Sequence, residues 1–173
     1  MSEQKIHNGR FTTAGDEEVV LFLLGIRVNK ARALRSWLPV VRALDPMLRE
    51  LAADPRSGLL YSRTQRYGLR EVTLLQYWRS TDALIEFSHA AMHRRAWRDF
   101  YKVASRGTDV GLWHETYVVP AGHYESIYGS VPLTGLGLVQ GLTPIGRRTE
   151  TARDRLGGAG EPRTAQPAES ESQ

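Results

Sequence analysis

The chain of 173 residues contains no cysteine. That absence excludes disulfides, thiolate nucleophiles, Cys-ligated zinc, iron–sulfur clusters and thiolate-ligated haem. A long apolar run is also missing: the longest, Val19 to Ile26, is far shorter than the roughly 20 residues a membrane helix needs. The first 18 residues are polar and lack the apolar centre of a signal peptide. A soluble, cytoplasmic protein with no membrane partner is the expectation. No nucleophile-elbow serine occurs, so hydrolase chemistry has no support. Gly135-Leu136-Gly137-Leu138-Val139-Gln140-Gly141 has the wrong last spacing for a dinucleotide loop and no strand of a βαβ unit before it, so it reads as a Gly-rich connection.

The net charge is +4, and the densest basic cluster is Arg94, Arg95, Arg98 and Lys102. With no nucleic-acid reader motif around it, this cluster reads as a solvated helix face, and no nucleic-acid partner is expected. From Ile145 onward large apolar residues give way to Gly, Arg, Glu, Pro, Ser and Gln. Such a composition cannot bury enough surface to offset its ordering entropy. The organisation predicted is a flexible N-terminus over 1–14, one domain over 15–144 and a disordered tail over 145–173.

Within the domain, Val19 to Ile26 reads as a strand buried on both faces. Asn29 is placed to cap a helix with apolar residues at Leu34, Trp37, Leu38, Val41, Leu44, Leu48 and Leu51. Pro39 and Pro46 predict that this helix is kinked or in two pieces. Two strands follow, Leu59 to Tyr67 and Glu71 to Trp78, turning at Gly68. Ser80 then caps a second helix, broken near Met92, that continues through Trp97 and Tyr101. The last strand is Gly111-Leu112-Trp113-His114-Glu115-Thr116-Tyr117-Val118-Val119.

This order, strand-helix-strand-strand-helix-strand, predicts an α+β ferredoxin-like βαββαβ sandwich with both helices on one side of the sheet. The first and third strands are apolar on both faces, which calls for a second sheet over the open side. An identical subunit supplies it most simply, giving a homodimer with sheets face to face.

His114 and Glu115 stand side by side in a strand, so their side chains point to opposite faces. A buried titratable group needs a partner or a task, which makes His114 the leading candidate for chemistry. Glu115 is expected on the helix side, pairing with His89, His93 or an Arg.

Several motifs together carry a family resemblance: Ile26-Arg27-Val28-Asn29-Lys30, Trp37-Leu38-Pro39, Gln76-Tyr77-Trp78-Arg79-Ser80, Trp97-Arg98-Asp99-Phe100, Val110 to Tyr117, and Tyr124 to Gly129. The chain resembles, over about residues 10 to 148, a family of small bacterial and fungal proteins similar to the fumagillin-pathway monooxygenases of fungi. That family is grouped with the antibiotic-biosynthesis monooxygenases, whose architecture is a dimeric α/β barrel. The resemblance implies oxygen-dependent chemistry on a small organic molecule, in keeping with secondary metabolism, and matches the family at His114, Glu115 and Tyr117.

Three functions stay open. A monooxygenase without a bound cofactor needs a base, an oxyanion donor and a dry pocket. His114 suits the base, Glu115 orientation or proton relay and Tyr117 a pocket donor. Arg27 is then an oxygen-holding cation, with Trp78, Trp97 and Tyr117 as walls. Otherwise Arg27 is a surface charge and the tryptophans are core. A haem enzyme would instead take an axial ligand from His89, His93 or His114. A non-haem metal site of His89, His93 and Glu115 has suitable ligand types without the His-Glu-x-x-His spacing. The third function is a small-molecule-binding module with no catalysis.

Overall fold

The computed structural model describes residues 5–104 and 107–156. Its elements are β1 (Ile6–Thr13), β2 (Val19–Val28), α1 (Leu34–Ala53), β3 (Leu59–Tyr67), β4 (Glu71–Trp78), α2 (Thr81–Ser88), α3 (Ala91–Ala104) and β5 (Val110–Val119). Beyond them lie β6 (Tyr128–Pro132), α4 (Leu136–Gln140), β7 (Leu142–Pro144), a 3-10 turn (Arg147–Thr149) and α5 (Ala152–Leu156). No helix among the described residues is long and apolar enough to cross a membrane.

From β2 to β5 the expected βαββαβ unit is present, with its strands antiparallel in the order β3-β4-β2-β5. The apolar run of β2 belongs in the middle because both its edges are paired. Leu24 lies opposite Leu74 of β4 on one side and His114 of β5 on the other. Residues directly opposite share a face, so Val20, Phe22, Leu24, Ile26, Leu74 and Trp78 all project to the same side. There they meet the helices. Val20 and Trp78 are essentially fully buried, and with Leu51 of α1 and Ala83 of α2 they form the core, flanked by Phe22, Leu59, Leu84 and Phe87.

Helix α2 starts at its expected cap, since the Ala83 amide donates to Ser80 Oγ at 3.2 Å, and the break before α3 falls at 89–90. Neither a two-piece α1 nor its expected cap is found. Helix α1 runs unbroken through Pro39 and Pro46. The burial of Met47 and Leu51 offsets the backbone bonds the two prolines remove. Asn29 does not cap it either: its Nδ2 donates to the Thr108 carbonyl at 3.0 Å and ties the end of β2 to the start of β5.

Both ends of the domain extend past the predicted bounds. The N-terminus expected to be flexible forms β1, the centre of a second sheet ordered β6-β1-β7, with Thr12 and Thr13 buried. Its polar sequence hid it, because the strand is held by backbone pairing and by the Thr13 amide donating to Ser126 Oγ at 3.0 Å. The tail expected to be disordered from Ile145 is ordered to Leu156. Arg155 is buried, donating to Glu125 at 2.7 Å and to the carbonyls of Thr149 and Glu150. A guanidinium making three hydrogen bonds anchors this segment in place of apolar area. The rest of the predicted tail, 157–173, lies outside the described residues. The Gly-rich connection is helix α4, entered and left through the positive φ of Gly135 and Gly141.

On the side of the sheet away from the helices, Gly25 lies opposite Trp113, whose indole rests over it. A Cβ at Gly25 would come within 2.1 Å of that ring. Gly25→Ala is therefore expected to cost about 1–3 kcal/mol in urea unfolding. Most of that cost should vanish in a Trp113→Ala background, and equal costs in the two backgrounds would put the strain elsewhere.

Candidate functional site

Between the helix-facing side of the sheet and helices α1, α2 and α3 lies a cavity of about 370 Å³. Its wall is largely apolar, with Phe22, Leu24, Leu48, Leu74, Phe87 and Trp97 among the contributors. Two uncharged polar groups also line it, Gln76 from the sheet and His93 from α3, along with Asp99 and Lys102. An apolar hollow with a few placed polar groups is the usual form of a small-molecule site.

His93 is held at both ring nitrogens. Nδ1 lies 2.8 Å from the Ser88 carbonyl, which can only accept, so Nδ1 carries the proton. Nε2 then accepts from the Trp97 indole N–H at 2.9 Å. A neutral imidazole satisfies both bonds, whereas a second proton at Nε2 would face the indole hydrogen. Burial pushes the His93 pKa below its ordinary value, the Ser88 bond opposes that shift, and neighbouring His89 adds to it.

Gln76 is oriented by the same chemistry. It is only 3% exposed, and its Oε1 accepts from the Trp78 indole N–H at 3.2 Å. An indole can only donate, so the oxygen must face Trp78 and the amide nitrogen points elsewhere. That Nε2 has no partner among the described residues. Gln76 was absent from the sequence-predicted site. Its signal was a lone amide on the helix-facing side of a central strand, between Leu74 and Trp78.

The predicted site residues do not converge. His114 is on the helix side of edge strand β5, exposed, with its ring 5.7 Å from Phe22 and 6.5 Å from Trp97, both cavity residues. It has no hydrogen-bond partner among the described residues. Glu115 is on the opposite face, so the expected pairing with His89, His93 or an Arg on the helix side is wrong. It instead accepts from Tyr117 Oη at 2.7 Å. That bond, and the carboxylate charge, raise the Tyr117 phenol pKa and keep its proton on. Tyr117 accordingly walls the other side of the sheet, away from the cavity.

Arg27 lies at the end of β2 on that same outer face, paired with Glu71 at 2.8 Å and well exposed. It does not reach the cavity, which fits the surface-charge alternative. Trp78 is core, 1% exposed, and meets the cavity wall through its contact with Phe87 and its bond to Gln76. Of the three predicted walls, Trp97 alone lines the cavity. His89 is exposed in a shallow outer groove with His93, Arg94, Arg98 and Tyr101. A metal site of His89, His93 and Glu115 is excluded by geometry, because the sheet separates Glu115 from the two imidazoles. Nor do three metal-ligating side chains gather elsewhere among the described residues.

A sheet in the order β3-β4-β2-β5 with its helices on one side defines a ferredoxin-like α+β protein, here with a ligand-sized cavity beneath the helices. The model of the Monooxygenase af470-like family matches residues 19–136, and the chain belongs to that family. Monooxygenase af470 of Aspergillus fumigatus is 29% identical over 123 residues, 66% of this chain and 43% of the relative. Among solved structures, an aldoxime dehydratase aligns with a TM-score of 0.64 at 17% identity, covering 91% of this chain and 46% of its own. The aldoxime dehydratase OxdRE, in complex with butyraldoxime, aligns with a TM-score of 0.63 at 20% identity, covering 82% and 43%. At such identities the likeness is one of fold. The chain spans less than half the length of each of these relatives.

The two bonds of His93 make a pH prediction. With the folded pKa below the unfolded one, the unfolded chain takes up the proton first as pH falls. The stability from neutral His93 is thus complete above the ordinary imidazole value of 6.5 and declines below it, down to the lower folded pKa. Urea midpoints should fall over that window in the wild type, and His93→Phe should remove this part of the slope. An unchanged slope in the variant would show that the proton goes elsewhere.

Proposed function

We propose that this protein is a small-molecule monooxygenase that uses dioxygen directly on an electron-rich organic substrate, with no bound organic cofactor. The observation that carries this is the apolar cavity with His114, its ring unengaged, beside two of the wall aromatics. Membership of a monooxygenase family supports the reaction class.

In this mechanism His114 removes a proton from an activated C–H or O–H, leaving an electron-rich carbanion or phenolate. Dioxygen accepts the electrons and bonds to carbon as a hydroperoxide. Loss of water then leaves a new carbonyl. One oxygen atom stays in the product, the other departs in water, and the substrate supplies all the electrons. A dry, apolar wall protects the carbanion from reprotonation by solvent.

The haem alternative is weakened at His93 alone, since His114, another candidate ligand, has no hydrogen-bond partner among the described residues. The imidazole inside the cavity, His93, has no free lone pair for iron while Trp97 and Ser88 hold it. Oxygen uptake with candidate phenols and enolisable ketones tests the proposal. Wild type should consume oxygen, and His114→Ala should lower kcat by about 10²–10⁴-fold. Full turnover in that variant would remove His114 as the base. No uptake with any such substrate would favour a binding module.

We further propose a homodimer through the outer face of the sheet. Trp113 and Tyr117 there are 37% and 47% exposed, and Leu21, Leu23 and Leu75 lie on the same face, only partly covered. Part of this face is closed within the chain, where Tyr61 Oη meets Thr134 Oγ1 at 3.1 Å. A second copy would cover the remainder. Sedimentation velocity should show a dimer, and Trp113→Arg should shift it to monomer; a wild-type monomer at micromolar concentration would end this proposal.

A further inference from the structure

Gln76 is the most unusual side chain in the cavity. The cavity wall it belongs to is largely apolar, yet it presents an amide N–H pair with no partner among the described residues. Its neighbours on this face of the sheet are Leu74, Trp78 and Phe22, with Ser62 opposite it on β3. The amide is not free to turn away. Trp78 N–H demands an acceptor, Gln76 Oε1 provides it at 3.2 Å, and rotating the amide would set two donors against each other. Trp78 is itself immobilised, 1% exposed and packed on Phe87. The arrangement therefore fixes one hydrogen-bond donor in an apolar cavity of about 370 Å³.

We infer that Gln76 Nε2 is the anchor for a single acceptor oxygen on an otherwise apolar ligand, so the cavity selects ketones, enolates and phenolates over matching hydrocarbons. This rests on the monooxygenase proposal for its place in a reaction. There, the oxygen held by Gln76 is the one onto which negative charge moves when the adjacent carbon or ring is deprotonated. The donor is preorganised, because Trp78 fixes its direction before any ligand arrives. Gln76 is a substrate-binding and specificity residue, and Trp78 is a positioning residue acting through it.

The test is a binding measurement made without oxygen, so it is independent of turnover. The probes are 1-tetralone and tetralin, two bicyclic molecules of nearly equal shape that differ by a carbonyl in place of a methylene. Titration calorimetry gives the ratio of their dissociation constants in wild type, in Gln76→Leu and in Gln76→Leu/Trp78→Phe. The double variant removes both hydrogen-bonding partners together and leaves no orphaned indole, so it guards against misfolding of the single one. The preference for tetralone over tetralin should fall about tenfold in both variants, with tetralin binding unchanged or tighter. The carbonyl stretch of bound tetralone should also lie at lower frequency in wild type than in the variants. A ratio that changes less than about threefold, or a wild type that binds neither probe, would overturn the inference. Either result leaves the oxygen-uptake test of the monooxygenase proposal standing. A protein that shows the tenfold change but consumes no oxygen would keep the anchor and lose the reaction.

Discussion

The register of β2 between β4 and β5 is the constraint on which the rest depends. Strand side chains alternate, so a single choice, Leu24 opposite both Leu74 and His114, fixes the face of every residue in three strands. It puts Val20 and Trp78 into the core, Gln76 into the cavity and His114 beside it. The same choice sends Arg27, Glu115, Tyr117 and Trp113 to the outer face. A slip by one residue would exchange the two sets, exposing Trp78 and burying Glu115. The near-complete burial of Val20 and Trp78 makes such a slip costly.

Two tryptophans give the cavity its polar order, and both do so through the indole N–H. Trp97 holds His93 in one tautomer and Trp78 holds Gln76 in one amide orientation. An indole donates and never accepts, so each one dictates which atom of its neighbour faces it. The histidine is thereby satisfied at both nitrogens, while the glutamine amide N–H pair has no partner among the described residues. Two similar bonds thus produce opposite outcomes, a quiet imidazole and a directed donor. His114, whose imidazole has no hydrogen-bond partner among the described residues, stands outside on the edge strand.

The outer face has a different character. Its aromatics are partly exposed, Arg27 is paired with Glu71, and the Glu115 carboxylate accepts from the Tyr117 phenol. Gly25 lets the Trp113 indole rest over the strand, which smooths this face into a surface fit for packing. The chain's own C-terminal part covers some of it. The relatives it matches are more than twice as long as the aligned stretch.

The sequence by itself determined the βαββαβ order, a helix break that it put near Met92 and the structure puts at 89–90, the cap at Ser80 and the division of His114 from Glu115. All of these follow from local chemistry, namely apolar runs, turn residues and the two-residue period of a strand. Periodicity does not say which face of a strand meets the helices, and that single bit decides which residues form a site. Only the tertiary structure assigned Arg27, Glu115 and Tyr117 to the outer face and brought Gln76 and His93 to one cavity. Strand β1 and the segment 145–156 were illegible for another reason. Their order comes from long-range backbone pairing and from the Arg155–Glu125 contact, 30 residues apart in sequence, rather than from any apolar pattern of their own. Helix α1 continued through two prolines because packing against the sheet outweighs a local rule. Local preferences wrote the order of the elements, and the partners each residue met across the sheet decided what it does.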